Sequence, residues 1–447
     1  MRDLLVTALF FYGAIKAFRH PYFAALLWVW IGLMNPHRLG WGFAHSVPFA
    51  MVAFLVMAVS MFMHPKEVKW PRSGPLTVFI LFAVWVCITT VFAIHVPESV
   101  GLLIATLKMM LVTLMIATIV RTREEILGLV VVIAVSIGFF GVKGGFFTLS
   151  TGGAFRVWGP PSSVIEDNNE LAVALIITIP LLYYLILQKD KLVSMLPFLS
   201  KVGAKWLKRM LLASIALCAV SALGSHSRGA LLAIVAMSSM LWWRSKSKLT
   251  VGLVLLILSP AIILFMPEEW TSRMSTIKTY DEDSSAMGRL NAWTMAINIA
   301  NSRLMGAGFA NDSPLIYQMY APDPNFVIVA HSIYFQVLGQ HGYIGLGLYL
   351  LFWILTYRTA GRLMTKTRER PEWEWVWQLA GMIKVSIVGF AVGGAFLSLA
   401  FWDMPFYFMV VLVVSEKWVD DRLYVEAGTG QAQSGVREGA GRTGVAS

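Results

Sequence analysis

Residues 126–147 read ILGLVVVIAVSIGFFGVKGGFF, an apolar run broken by a single charge at Lys143. A bilayer core is crossed by about 20 apolar residues in helical form, and the run lacks the polar alternation of a half-buried strand. Comparable runs recur near 47–63, 75–94, 101–120, 171–187, 210–224, 229–243, 249–266, 331–357 and 379–401, with a shorter one at 404–415. Two weaker segments, 4–17 and 22–34, are split by Arg19-His20-Pro21 and read either as two short tilted spans or as one interrupted unit. The pattern predicts an all-α polytopic integral membrane protein with about 12 transmembrane helices. Composition agrees: of 447 residues, 57% are apolar and 14% charged. Soluble domains carry roughly 25% charged residues, so a single soluble core is excluded.

The net charge of +11 would suggest a nucleic-acid partner in a soluble chain. Here most cations sit in short loops between apolar runs, so no such partner is expected and the charge is a topology signal. Alternate loops, holding Lys66 to Arg72, Arg121 and Arg123, Lys189 to Arg209, Arg244 to Lys248 and Arg358 to Arg370, carry most of the loop lysines and arginines. These face the cytoplasm by the positive-inside rule, which turns 95–100, 148–170, 224–228 and 267–330 outward, toward a periplasm in a Gram-negative cell. The resulting organisation is 1–266, transmembrane helices with short loops; 267–330, a large periplasmic loop; 331–423, C-terminal transmembrane helices; and 424–447, a disordered cytoplasmic tail rich in Gly, Ser and Gln. A structureless connection as long as 267–330 is unusual, and the helical spacing of its stretch 287–305 predicts a helix at the membrane surface. The first apolar stretch runs straight into further membrane segments, so no cleavable signal peptide is expected. Cys87 and Cys218 lie within apolar segments and read as core residues rather than as a disulfide or metal site.

Few polar residues remain to be explained on the outward side. Arg228, in Ser225-His226-Ser227-Arg228-Gly229, occupies a minimal turn where topology favours a neutral residue. It reads either as an arginine snorkelling to headgroups or as an anion clamp, the guanidinium fork matching a phosphate. Arg289 stands in Gly288-Arg289-Leu290-Asn291-Ala292-Trp293, and Arg156 in Phe155-Arg156-Val157-Trp158-Gly159-Pro160-Pro161. Three outward arginines near the bilayer suit a lipid-linked phosphate or diphosphate. His331, followed by Ser332, opens the span from 331 and is either a structural residue or a group poised to exchange a proton near neutral pH. His341, roughly 15 Å deeper along an ideal helix, is too remote to be its partner. Ile165-Glu166-Asp167-Asn168-Asn169-Glu170 supplies ordinary helix-start residues that are also suited to sugar hydroxyls, with Asp167, Asn168 and Asn169 as substrate-binding candidates. Asp281-Glu282-Asp283 fits an Asp-x-Asp metal site and equally a solvated loop.

These residues resemble the O-antigen ligase and polymerase family. The matching pieces are Ser227-Arg228-Gly229 before a span, Gly288-Arg289 with Trp293 in the large outer loop, and His331-Ser332 followed by nine residues and then Gly342-Tyr343-Ile344-Gly345, the family's ligase signature. The N-terminal region and Gly159-Pro160-Pro161 through Asn169 look similar to a subgroup of O-glycosylation ligases associated with exosortase systems. The resemblance implies a GT-C-like glycosyltransferase architecture and an inner-membrane location with a periplasmic active site. It implies glycan transfer from undecaprenyl diphosphate to a hydroxyl of lipid A–core oligosaccharide, inverting and without a metal or other cofactor. It further implies catalytic roles for His331, Arg289 and Arg228, with Arg156 and Ser332 in substrate binding. Protein O-glycosylation and O-antigen polymerisation use the same donor and stay open. A transporter would call for midplane charges in a relay; Lys108, Lys143 and Lys384 form none that the sequence reveals.

Overall fold

The computed structural model describes residues 1–244, 247–249 and 284–441, with side chains described up to Glu426. The predicted span 249–266, the first part of the outer loop and Asp281-Glu282-Asp283 lie essentially outside the described residues. Among those described, the structure is helices joined by turns and short irregular segments, with no strand.

The first helices are α1 (Arg2–Ala17), α2 (Pro21–Met34), α3 (Phe49–Met63), α4 (Gly74–Val91), α5 (Val96–Ile119), α6 (Arg123–Ser150) and α7 (Asn168–Leu187). The short α8 (Lys189–Met195) and α9 (Pro197–Ser200) lead to α10 (Ala204–Gly224) and α11 (Arg228–Arg244). Beyond 284 come α12 (Ser284–Ser302), α13 (Pro314–Tyr320), α14 (Ile333–Thr367), α15 (Glu374–Gly393) and α16 (Asp403–Gly441). The last of these runs through the stretch from 424 that composition reads as a tail.

Seven described helices are long and apolar enough to cross a membrane: α4, α5, α6, α7, α10, α14 and the segment Pro371–Phe396 that contains α15. The expectation of about 12 also counted shorter helices. The described apolar helices α2, α3 and α11 are 14, 15 and 17 residues long, shorter than the roughly 20 residues of an ordinary crossing. The N-terminal pair settles as two separate helices, with Gly13 of α1 packed so closely on Leu27 of α2 that a Cβ there would lie 3.0 Å from Leu27 Cγ.

The stretch 126–147 forms most of α6, and its glycines explain how it packs. A Cβ at Gly145 would lie 2.8 Å from Leu217 Cα, and one at Gly144 would overlap the Ser221 hydroxyl. Small residues let helix backbones approach where no hydrophobic drive separates protein from lipid. This approach sets α10 against α6 and places the α10–α11 turn beside the start of α7. Helix α7 is the most buried of the seven, so its first turn is held at the centre of one end of the bundle.

Two ends can be told apart by contacts. At one, Ile94 N–H donates to Ala307 O at 2.9 Å and Ala310 N–H to Ser99 Oγ at 3.2 Å, tying the α4–α5 turn to the segment after α12. At the other, Lys69 N–H donates to Thr118 O at 2.9 Å, and Arg362–Glu416, Lys366–Asp420 and Arg370–Glu426 pair α14 and its following turn with α16 at 3.0, 2.6 and 2.7 Å. The end rich in lysine and arginine is thus the one opposite the outer loop. The loop's described part folds, as its length required: Ala292, Met295, Ile299, Ala307, Ile316 and Tyr317 form a small core of their own.

Candidate functional site

The site is built where the starts of α7, α11 and α14 meet. Asn168 is buried and its Nδ2 donates to Ser225 O at 2.6 Å, fastening the start of α7 to the turn before α11. That turn carries His226 at φ 58°, whose Nε2 lies 2.9 Å from Gly153 O. Ser227 Oγ accepts from Ala230 N–H at 3.2 Å, as a helix-capping hydroxyl does. Arg228 opens α11. The next residue, Gly229, faces Phe396, where a Cβ would stand 3.4 Å away, and the Phe396 ring lies 6.4 Å from that of Trp293.

Trp293 brings Arg289 into place. Its indole N–H donates to Ala330 O at 2.7 Å, and its ring stacks on Phe335 at 4.8 Å and 13°. Arg289, one helical turn earlier on α12, shares that face and is close enough to His331 and to Glu170 to act on both electrostatically. Asn291 points elsewhere: its Nδ2 donates to Asp323 O and Phe326 O, which holds the loop.

His331 has φ 42°, a left-handed conformation uncommon for a side chain other than glycine. Its backbone N–H is held by Ser398 Oγ at 3.1 Å. A residue kept in such a region costs of order 1–3 kcal/mol and persists only where its surroundings impose it. Burial lowers the pKa of the imidazole, the Arg289 charge lowers it further, and Asp167 partly opposes both. His331 is therefore neutral at pH 7, the form that accepts a proton.

Asp167 caps α7, accepting from Asn169 N–H and Asn169 Nδ2, both at 2.8 Å. Burial pushes its carboxyl up, but hydrogen bonds from Glu170 and Asn169 and the proximity of His331 more than offset this and hold it below the usual carboxylate range. A hydrogen bond between two carboxyl groups requires a proton between them, so Asp167 and Glu170 act as one pair. Ser332 is buried at the start of α14 with no hydrogen-bond partner for its hydroxyl.

Of the residues singled out in the sequence, His331, Arg289 and Asp167 come together, with Ser332 adjoining in the chain; Arg228 opens α11, whose preceding turn is fastened to the start of α7 by Asn168. Asn168 and Asn169 have amides committed to the turn and the cap, so theirs are positioning bonds. Arg156 is exposed and lines a separate cavity of about 230 Å³ with Lys143, to which none of Arg228, Arg289 or His331 contributes. His341 is fully buried, with Nδ1 2.8 Å from Thr89 Oγ1 and rings of Phe82, Phe309 and Phe401 around it. Glu170 and Ser398 were not singled out. The three-residue spacing of Glu170 from Asp167 on one helix face was the available signal; Ser398 left none. Among the described residues no group of three His, Cys, Asp or Glu is placed to hold a metal ion.

Fold and site define a multi-pass membrane protein with a cationic, histidine-bearing polar site at one end of its bundle. Residues 213–350 match the family model described as O-antigen ligase. The matched segment contains Arg228, Arg289, His331 and Ser332. Residues 1–190 match a family of unknown function. No curated protein matches the chain.

Proposed function

We propose that the protein is an O-antigen ligase that transfers glycan from undecaprenyl diphosphate to a hydroxyl of lipid A–core oligosaccharide on the periplasmic face of the inner membrane. The observation that carries this reading is the grouping of a neutral, half-buried His331 with Arg289, both within the family-matched segment. His331 takes the proton of the acceptor hydroxyl as that oxygen attacks the anomeric carbon. The bond from that carbon to the donor diphosphate breaks in the same displacement, which inverts the centre. Arg228 and Arg289 neutralise the charge gathering on the departing diphosphate, aided by the positive amino end of α11. Asp167, in its pair with Glu170, stabilises the imidazolium that forms. Two arginines in these places do the work of a divalent cation.

The test is transfer with purified protein, lipid-linked donor and lipid A–core acceptor. Glycan on the acceptor is expected, undiminished in EDTA and lost in Arg228→Ala and Arg289→Ala. A requirement for Mg²⁺ or Mn²⁺ would bring Asp281 and Asp283 back into the chemistry. Glycan lengthened on undecaprenyl diphosphate without any other acceptor would make the protein a polymerase, and glycan found on protein would make it a protein O-glycosylation ligase.

The pH profile has a defined direction. Activity needs neutral His331, whose pKa burial and the Arg289 charge hold below the ordinary imidazole value, so transfer is retained at neutral pH and lost as pH falls through the lowered pKa. Asp167→Asn removes a charge that raises that pKa, and the acidic limb moves to lower pH. Arg289→Gln removes a charge that lowers it, and the limb of the residual activity moves up. Identical limbs in all three proteins would dissociate the titration from His331.

A further inference from the structure

A second cationic pocket lies at the same end of the bundle, wholly within the region that matches a family of unknown function. It has a volume of about 610 Å³ and is lined by His37, Arg38, His45 and Lys108, with apolar walls that include Trp28 and Phe54. The segment 35–48 joins α2 to α3, and the far end of α3 is at the opposite pole, since Ser60 of α3 bonds the carbonyl of Ala17 where α1 turns into α2. The pocket therefore opens at the end that carries His331.

Its charge has no internal counterpart. None of His37, Arg38, His45 and Lys108 forms an ion pair among the described residues, and no carboxylate lines the cavity. Asp3, which packs against Gly40 and Gly42 of the 35–48 segment, does not line the cavity and accepts Ala44 N–H at 3.2 Å. Arg38 instead lies 3.4 Å from the His45 ring nitrogen. His37 is 91% buried, and its Nδ1 has no hydrogen-bond partner. Lys108 is exposed twelve residues into α5, roughly 18 Å from the start of that helix at 1.5 Å per residue. A lysine at that depth on a lipid-facing surface is costly unless it reaches an anion or the interface.

We propose that this pocket binds the phosphate of an anionic phospholipid from the surrounding bilayer, with Arg38 and Lys108 on the phosphate, His37 completing the set of donors, and the acyl chains along Met51 and Phe54. The cations and the absence of a lining carboxylate select an anion over a metal ion. The volume far exceeds what inorganic phosphate needs, and Met51, 58% exposed, leaves the wall open to lipid. Beyond Ser46, the apolar lining offers no further donors of the kind that sugar hydroxyls require, which favours a phospholipid over the glycan-bearing carrier. This site is independent of the proposed transfer reaction, and it gives the N-terminal region a role of its own.

The experiment is native mass spectrometry of the full chain released from nanodiscs of phosphatidylglycerol, phosphatidylcholine or phosphatidylcholine doped with undecaprenyl phosphate. Phosphatidylglycerol is expected to be retained about tenfold better than phosphatidylcholine, with the preference falling as KCl rises. The double variant Arg38→Gln with Lys108→Gln should lose the preference, and Arg38→Lys with Lys108→Arg should keep it. Equal retention of the two phospholipids by the wild-type chain, or a preference untouched by salt and by the Gln pair, overturns the proposal. Displacement of phosphatidylglycerol by equimolar undecaprenyl phosphate also overturns it, by giving the pocket to the carrier.

Discussion

Replacing His331 with asparagine is expected to remove glycan transfer while leaving the protein folded. Asparagine tolerates the left-handed backbone better than most residues, so the φ of 42° at this position is kept and the Ser398 bond survives. What disappears is the group that accepts a proton at neutral pH. General-base catalysis contributes typically 10²–10⁴-fold, and a loss of about that size in turnover of purified donor and acceptor is the expected result. His331→Ala removes the same chemistry but also strains the backbone, so the asparagine variant is the cleaner one. Turnover within a few-fold of the parent would strip His331 of its role as base.

Gly342→Ala is expected to have the largest effect on folding. Gly342 has φ 68° and ψ −172°, a region essentially closed to residues with a Cβ. A Cβ there would also overlap the carbonyl oxygen of Leu304. The break at this glycine frees carbonyls of α14 that the turn after α12 then takes up: Ala307 N–H donates to Gly339 O at 2.9 Å and Gly308 N–H to Gln340 O at 3.0 Å. Forcing a regular helix through 342 would leave these groups buried and unpaired. Strain and lost bonds together should cost about 3 kcal/mol or more, seen as a lower melting midpoint and a reduced yield of folded protein from membranes. A variant that melts with the parent would mean that the break is not required.

The two variants show what a sequence reader can and cannot extract. Apolar runs of helical length made the fold class plain, and the glycines at 342 and 345 were visible as part of a signature. Why Gly342 is needed was not visible, because Leu304 comes within reach only after the chain has turned through the outer loop. Likewise Trp293 could be noted beside Arg289, yet its stack on Phe335 and its bond to Ala330 join residues dozens of positions apart. Among the described residues seven helices have crossing length and apolarity, and the rest of the expected twelve fall on shorter apolar helices or outside the described residues. Asn168 illustrates the converse. Its residue type suits sugar hydroxyls, and nothing local reveals that Ser225 already uses its amide. The cations of the second pocket stood in the sequence as Arg38 and Lys108, seventy residues apart, with no spacing to link them.

The burial of α7 has a consequence for energy coupling. Below the Asp167–Glu170 pair, the helix from Leu171 to Leu187 carries only Thr178, Tyr183 and Tyr184 as polar side chains, and Thr178 spends its hydroxyl on Ala174 O at 2.7 Å. No ladder of titratable groups descends from the site along this helix. In the proposed reaction, a proton collected by His331 returns to the compartment from which the acceptor came. Helix α7 therefore offers that proton no route to the opposite face, and in the proposed reaction the driving force is the cleavage of the donor's glycosyl–phosphate bond.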